Sequence, residues 1–333
     1  EAAKRHRATQ PQASFLNACL RRFLREREAL VAQSEADPVA RWNHPRWWIE
    51  QLQHDHPGHW QAILQANQQA APMTLRVQTR RITREALQQR WAQAGLPSQP
   101  VGEHGLVLAS PRAVHDIPGF DEGLCSVQDA AAQRAACLLA AGLKPAQGRA
   151  WRLLDACAAP GGKTAHLLDL MDAELVALDV DAERCRRTRE TLERLRLKAD
   201  VRCADAATPE AWWDGQAFDG ILLDAPCTAS GIVRRHPDVR WLRRPDDSPQ
   251  LARTQAMLLD RLWPLLAPGG RLLYCTCSMF KAEGQEVIQA FLQRNTQARL
   301  RPSPGHLLPG TPPEAGSVGD NGLGEHDWFY YAL

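Results

Sequence analysis

The amino-acid sequence predicts an α/β fold: a doubly wound, Rossmann-like sheet in the C-terminal part, preceded by a small α/β module and a helical segment. Three observations carry this. From Arg149 onward, apolar strand patterns ("WRLLDA", "ELVALDV", "ADVRCAD", "FDGILLDAP", "GGRLLYCTCS") alternate with helical ones, as in a parallel sheet covered on both faces. A glycine turn, "DACAAPGGKT" from Asp155 to Thr164, joins the first of these strands to its helix. Asp155, Asp179 and Asp205 end three successive strands, at the carboxyl edge where such sheets hold their ligands.

The elements follow in order. Phe15, Leu16, Cys19, Leu20, Phe23 and Leu24 recur at helical spacing within residues 1–35, so one amphipathic helix is expected there, with nothing of its own to pack on. Pro45 suits a first helical turn and Pro57 interrupts, which predicts two short helices with Trp47, Trp48, Trp60 and Ile63 inward. "MTLRVQT" reads as a strand, Thr83 to Ala94 as a helix stopped by Gly95, and "GLVLAS" as a second strand, a small α/β module over roughly 70–115. A short strand and a helix from about Gln128 to Ala141 lead into the large sheet. The tail from Pro302 to Asp327 is a Pro/Gly loop, closed by a last strand, "WFYYAL".

A chain of 333 residues calls for about two or three domains. Hydrophobic content of 44% and charge of 23% are those of a globular protein. The net charge of +2 gives no global basic field, although arginine far outnumbers lysine and clusters locally. The nine cysteines are odd in number and show no Cys-x-x-Cys zinc spacing, so neither a disulfide framework nor a metal is expected, and a cytoplasmic location fits. No apolar run is long enough for a membrane and no signal peptide opens the chain. The first residue, Glu1, is expected of a truncated start.

The glycine turn carries neither a triphosphate-binding loop nor the full spacing of a dinucleotide fingerprint. Ala159, Pro160, Gly161 and Gly162 let backbone N–H groups approach a ligand. Asp179 is placed to accept from both ribose hydroxyls, and Asp205 to meet an adenine amino group. An adenosine-bearing cofactor without a triphosphate fits: S-adenosylmethionine, or less well NAD.

Two cysteine segments end strands at the same edge. Cys227 follows "LLDAP", and Cys275 and Cys277 fall on one face of "LLYCTCS", with Cys277 nearer the mouth. Cys19, Cys137, Cys185 and Cys203 read instead as inert packing. A thiolate that adds to C6 of a pyrimidine makes C5 nucleophilic, so that C5 can take a methyl group from a sulfonium. A base must then remove the C5 proton before the thiolate leaves. Two cysteines beside one methyl donor fit that scheme.

"DACAAPGGKT", "LLDAPCTASG" and "YCTCS" resemble the motifs of the RNA cytosine-5 methyltransferases. "VHDIPGF", "SVQDAAAQ", "GIVRRHPDVRWLRR" and the closing "DWFYYAL" are similar to the bacterial 16S ribosomal RNA methyltransferase B type, so the likeness covers nearly the whole chain. The resemblance implies Cys277 as nucleophile and Cys227 as the cysteine that resolves the adduct. It implies Asp224 against the polar edge of the base and beside the cofactor, with Pro226 shaping the loop. Cys157, Ala158, Ala159, Pro160, Gly161, Gly162 and Lys163 would wrap S-adenosylmethionine, with Asp179 on the ribose and Asp205 near adenine. The target would be the 16S rRNA cytosine conventionally numbered 967. The implied domains are 1–37, the remnant of a NusB-like helical RNA-binding domain, 38–145, a linking module, and 146–333, the methyltransferase domain. The chain departs from the family pattern where Thr228 replaces serine, where "MFKAEG" replaces a Pro-Glu-Glu-Asn run but keeps Glu283, where Cys275 replaces a small residue and where Trp328 replaces a glycine.

Arg234, Arg235, His236, Arg240, Arg243 and Arg244 follow the Cys227 loop and are expected to meet RNA phosphates. Arg21, Arg22, Arg25 and Arg27 of the first helix make a weaker case. A tRNA target within the same chemistry is the alternative. A DNA cytosine-5 enzyme is disfavoured, because Thr228 follows Cys227 and a second Thr-Cys motif exists. A non-catalytic RNA-binding assembly factor would have lost a cysteine or the glycine turn, and both are intact. A monomer is expected.

Overall fold

A computed structural model of the chain describes residues 2–5, 7–141, 143, 149–308 and 326–333. Two compact units divide between Gln51 and Leu52. The first holds α1 (Ala2–Arg5), α2 (Ala13–Arg25), α3 (Arg27–Glu35), α4 (Pro38–Trp42) and the start of α5 (Arg46–Asp55). The single amphipathic helix expected within residues 1–35 is broken into α2 and α3. The chain breaks at Glu26, whose φ of −113° and ψ of 19° lie outside the helical range. Phe15, Leu16, Leu20, Phe23 and Leu24 are exposed, and Trp48 is buried while Trp47 is half-buried.

In the second unit α6 (Trp60–Ala66) buries Ile63 and leaves Trp60 half-buried. A four-stranded antiparallel sheet follows, built from β1 (Thr74–Val77), β2 (Ser98–Val101), β3 (Gly105–Leu108) and β4 (Cys125–Val127) in the order β2-β3-β1-β4. The helix α7 (Arg84–Gln93) is capped by the Thr83 hydroxyl and lays Leu87 and Trp91 on Leu75, Val77, Leu106 and Leu108. The strand β2 went unread because Pro100 cannot donate to a ladder, and at the sheet's edge it does not have to.

The helix α8 (Ala130–Ala140), capped by Asp129, leads to the large sheet. Its strands are β5 (Trp151–Asp155), β6 (Ala173–Asp179), β7 (Asp200–Cys203), β8 (Phe218–Asp224), β9 (Leu266–Thr276), β10 (Gly305–Leu307) and β11 (Phe329–Ala332). The order is β10-β11-β9-β8-β5-β6-β7. Strands β5 to β9 are parallel, and β11 pairs antiparallel with both β9 and β10. The tail is therefore not loop throughout: Gly305–Leu307 forms an outer strand, and residues 309–325 of it lie outside the described residues. So does the expected boundary at 145/146.

Alternation along the strands sends residues to two cores. Leu153, Leu222 and Leu273 meet α8 and α9 (Gly162–Leu170) on one face. Leu154, Ile221, Leu223 and Tyr274 meet α12 (Asp247–Leu262) and α13 (Gln285–Arg294) on the other. The remaining helices, α10 (Ala182–Leu195) and the short α11 (Val239–Leu242), follow β6 and the loop after β8. Because β6 and β8 flank β5, the sheet reverses its winding at β5/β8 and opens a crevice at their carboxyl ends. Among the described residues, no helix is long and apolar enough to cross a membrane.

Candidate active site

The ladder between β8 and β9 ends at Asp224 opposite Cys275. Two residues beyond it on β9's side, and three on β8's, the chain brings together Cys277 and Cys227, with the sulfur atoms 3.4 Å apart. Both are half-buried, and no disulfide joins them. The hydrogen bond with Cys277 and then burial hold the Cys227 thiol well above the usual thiol range. Cys275 is buried on the same face and is more than packing: its Sγ donates to Asp224 Oδ1 at 3.4 Å. Cys185 is buried as expected, whereas Cys19 and Cys203 are exposed and Cys137 is half-buried.

What sets the cysteines' separation lies underneath them. Glu283 is fully buried and accepts from the Thr228 N–H at 2.8 Å, the Thr228 hydroxyl at 2.5 Å and the Ser278 hydroxyl at 2.6 Å. The residue after each reactive cysteine is thus tied to one carboxylate. Gln255 of α12 donates to the Pro226 carbonyl at 2.9 Å, and Tyr274 of β9 donates to the Glu283 carbonyl at 2.8 Å. Ser230 and Ser278 hydroxyls meet at 3.0 Å. Burial pushes the Glu283 carboxyl up, and its hydrogen bonds pull the other way. Gly231 runs between the two segments. Its N–H donates to the Cys277 carbonyl at 2.9 Å, and its carbonyl accepts from the Trp328 N–H at 3.1 Å. A Cβ there would lie 2.0 Å from the Trp328 carbonyl oxygen. Sequence reading found Glu283 only as a survivor of a changed run, and found neither Gln255 nor Tyr274.

The glycine turn lies across the crevice. Gly161, at φ 92°, makes the left-handed step into α9, and a Cβ on it would meet Thr188 Cγ2 at 3.0 Å. The Ala159–Pro160 peptide is cis. Lys163 donates to Asp224 Oδ2 at 2.6 Å and lies over the Phe329 ring. Burial opposes its charge, but Asp224 and Cys275 hold the ammonium above its ordinary pKa. Thr164 donates to the fully buried Asp155 at 2.6 Å. The lysine and threonine of "GGKT" are therefore both engaged inside the protein, so the turn is not a triphosphate cradle.

Asp179 ends β6 almost fully buried, 3.4 Å from both the Ala159 N–H and an Arg184 guanidinium nitrogen. Asp205 is exposed beyond β7, and its side chain accepts from the Ala207 N–H at 2.9 Å. Cys157 lies just past the end of β5, with its thiol pushed up by burial. A buried carboxylate at β6, an exposed one beyond β7 and a bent, glycine-lined backbone offer acceptors and donors of the kind a nucleoside takes. The Asp224 carboxylate faces the same crevice, where a sulfonium would find a counter-charge.

The basic stretch is largely a correction. Arg234, only 3% exposed, donates to Asp327 at 2.8 Å. Arg235 pairs with Asp327 and, at 2.8 Å, with Asp129. Arg240 is buried, with a guanidinium nitrogen 3.4 Å from the Asn67 carbonyl. The guanidinium groups of these three are engaged by acceptors within the protein. Their acceptors sit up to 173 residues away, out of reach of a local reading. Arg243 donates to the Thr228 carbonyl at 2.8 Å, and His236 and Arg244 are the exposed members.

The family described as 16S rRNA methyltransferase RsmB/F matches residues 140–314, and an RsmF/B-like ferredoxin-like domain matches residues 44–115. The chain is similar to ribosomal RNA small subunit methyltransferase B of Vibrio cholerae, at 45% identity over 96% of this chain and 71% of that protein. It is similar to the protein of that name from Pseudomonas putida, at 47% identity over 96% and 72%. A solved methyltransferase homologue from Pyrococcus horikoshii superposes with a TM-score of 0.72 at 28% identity, covering 88% of this chain and 96% of that one.

Proposed function

From the premise that the chain belongs to the 16S rRNA methyltransferase RsmB/F family, and is an S-adenosylmethionine-dependent rRNA methyltransferase, we propose that it methylates C5 of a cytosine in 16S rRNA through a covalent bond from Cys277 to C6. The cytosine conventionally numbered 967 is the proposed target. The observation that carries the reading is the 3.4 Å separation of two sulfur atoms at the carboxyl ends of adjacent parallel strands.

The cofactor supplies an electrophilic methyl group. Cys157 to Lys163 would wrap it, with Asp179 accepting from its ribose and Asp205 by its adenine. The target base leaves its stack to reach the crevice, which costs least in a loop. Cys277 attacks C6 as a thiolate, and the electron pair of the C5–C6 double bond becomes available at C5. Asp224, with Lys163 holding its other oxygen, meets the polar edge of the base where charge develops. C5 would then take the cofactor's methyl group, whose sulfonium sulfur would leave as a neutral thioether. Cys227, having given its own proton to solvent, takes the proton on C5 as a thiolate. The C5–H pair re-forms the double bond, and Cys277 departs with the electrons of the S–C6 bond.

The test is methyl transfer from labelled S-adenosylmethionine to unmodified 16S rRNA, with a denaturing gel for protein–RNA adducts. Cys277→Ala is expected to be inactive. Cys227→Ala is expected to accumulate an adduct that disappears when Cys277 is also replaced. Methylation at C5 by Cys277→Ala would overturn the catalytic assignment, and labelling of tRNA in place of rRNA would overturn the substrate.

A further inference from the structure

At the helix α9 that follows the glycine turn, three ligand-type side chains from three elements converge. His104 comes from the β2–β3 hairpin, Cys137 from α8 and His166 from α9. One ligand atom from each lies within 4.8 Å of the others. The two imidazoles stand edge to face with centroids 5.3 Å apart.

His166 is fully buried, and neither of its ring nitrogens has a hydrogen-bond partner among the described residues. Buried imidazole nitrogens without partners are costly, because they have given up water for nothing. A metal ion is a partner that a buried imidazole nitrogen can take. His104 lies nearer the surface, at 14% side-chain exposure, so the cluster has a route to solvent.

The charges acting on the cluster select the kind of ion. Arg76, Arg84 and Arg134 act from the positive side, and Glu103 and Asp169 from the negative. That surrounding is not acidic, so it does not suit magnesium or calcium, which require several carboxylate or carbonyl oxygens. Two imidazoles and a thiol suit a borderline-soft divalent ion in tetrahedral geometry.

We propose that His104, Cys137 and His166 form a zinc(II) site that ties the β2–β3 hairpin to the helices α8 and α9. Cys137 binds as thiolate and releases its proton to solvent. The ion satisfies one His166 nitrogen, and a water completes the tetrahedron. His166 lies one helical turn beyond Lys163, so the ion anchors the helix that presents the cofactor turn. The site runs against the expectation of no metal. That expectation rested on contiguous cysteine spacing, and these ligands are separated by 33 and 29 residues, which local spacing does not reveal.

The experiment strips the protein with a chelator, then titrates zinc(II) against a colorimetric competitor. One equivalent is expected to bind and to raise the melting temperature. Cobalt(II) in its place is expected to show tetrahedral visible bands and a sulfur-to-cobalt charge-transfer band. His166→Gln and Cys137→Ser are expected to weaken binding by at least about tenfold, and Cys137→Ser to lose the charge-transfer band. His104→Gln, in a hairpin turn, carries the test if His166→Gln does not fold. The Cys227→Ser/Cys277→Ser variant is expected to keep its zinc. The site is overturned if the wild type binds no zinc, if binding survives in the cluster variants, or if it is lost with the reactive cysteines.

Discussion

The loop that carries Cys227 and the turn that carries the glycines both leave the carboxyl end of a parallel strand, yet they are held by different means. The Cys227 loop is fixed by side chains: Glu283, Gln255, Ser230, Ser278 and Thr228 lock it to the end of β9. The glycine turn is fixed mainly by backbone. The Ala158 N–H donates to Leu178 at 2.8 Å and the Gly161 N–H to Ala158 at 2.7 Å, while Arg76 supports the Gly162 carbonyl at 2.6 Å. The difference follows from what each must fix. Two sulfur atoms lie beyond the last paired residues of their strands, so the ladder cannot set their distance and a buried polar network does. A nucleoside needs a row of N–H groups and acceptors, which bent backbone supplies directly.

Breaking the first region is expected to cost most. In Gly231→Ala, the added methyl meets backbone on both sides, at 2.0 Å from the Trp328 oxygen and 2.9 Å from the Cys277 oxygen. Neither can rotate away, so the two cysteine segments must separate. Methyl transfer is expected to fall by about a hundredfold or more, with a lower melting temperature. Glu283→Ala comes next. It removes the buried acceptor of the Thr228 N–H and of the Thr228 and Ser278 hydroxyls, at about 1–3 kcal/mol for each group left unpaired. The catalytic rate is expected to drop while cofactor affinity, measured by calorimetry, holds. Glu283→Gln, which keeps an acceptor, is expected to fall between.

Gly161→Ala tests the other side with a smaller effect. Its φ of 92° costs a side chain about 1–2 kcal/mol, and the methyl presses Thr188. Cofactor affinity is expected to weaken about tenfold, with the rate at saturating cofactor nearly preserved. If Glu283→Ala weakens cofactor binding as much as Gly161→Ala does, the two regions are one coupled unit and the contrast fails.

What the sequence disclosed follows the same division. The cofactor turn, the strand-end carboxylates and both cysteines are contiguous or strand-terminal, so strand alternation and motif order reach them. The network under the cysteines is assembled from Thr228, Gln255, Ser278 and Glu283, which three elements and the connecting loops bring together, and no periodicity marks it. Arg234 and Arg235 looked like phosphate ligands because charge is visible in a sequence. Their partners, Asp129 and Asp327, are brought beside them only by folding. The antiparallel β11 beside β9 was legible as a strand but not as a direction, since alternation is the same read either way.

Asp155 lies where the two regions meet and gives the smallest of these effects. It ends β5 fully buried, with Oδ2 accepting from Thr164 and Oδ1 without a partner among the described residues. Burial pushes its pKa up to about 7, against the hydrogen bond from Thr164; an unfolded aspartate titrates near about 3.9. A carboxyl raised by folding contributes stability that is present in full below the unfolded pKa and is lost as pH climbs through the folded one. The wild type should therefore lose melting temperature between about pH 4 and pH 7, and Asp155→Asn, which has no proton to lose, should lose less over that window. Melting scans at stepped pH read the difference as a change of slope. Parallel slopes would assign the titration to another buried carboxyl. Glu283 is raised in the same direction by burial, and the Glu283→Gln protein would then be the one whose slope flattens, placing the pH sensitivity under the cysteines and not behind the cofactor turn.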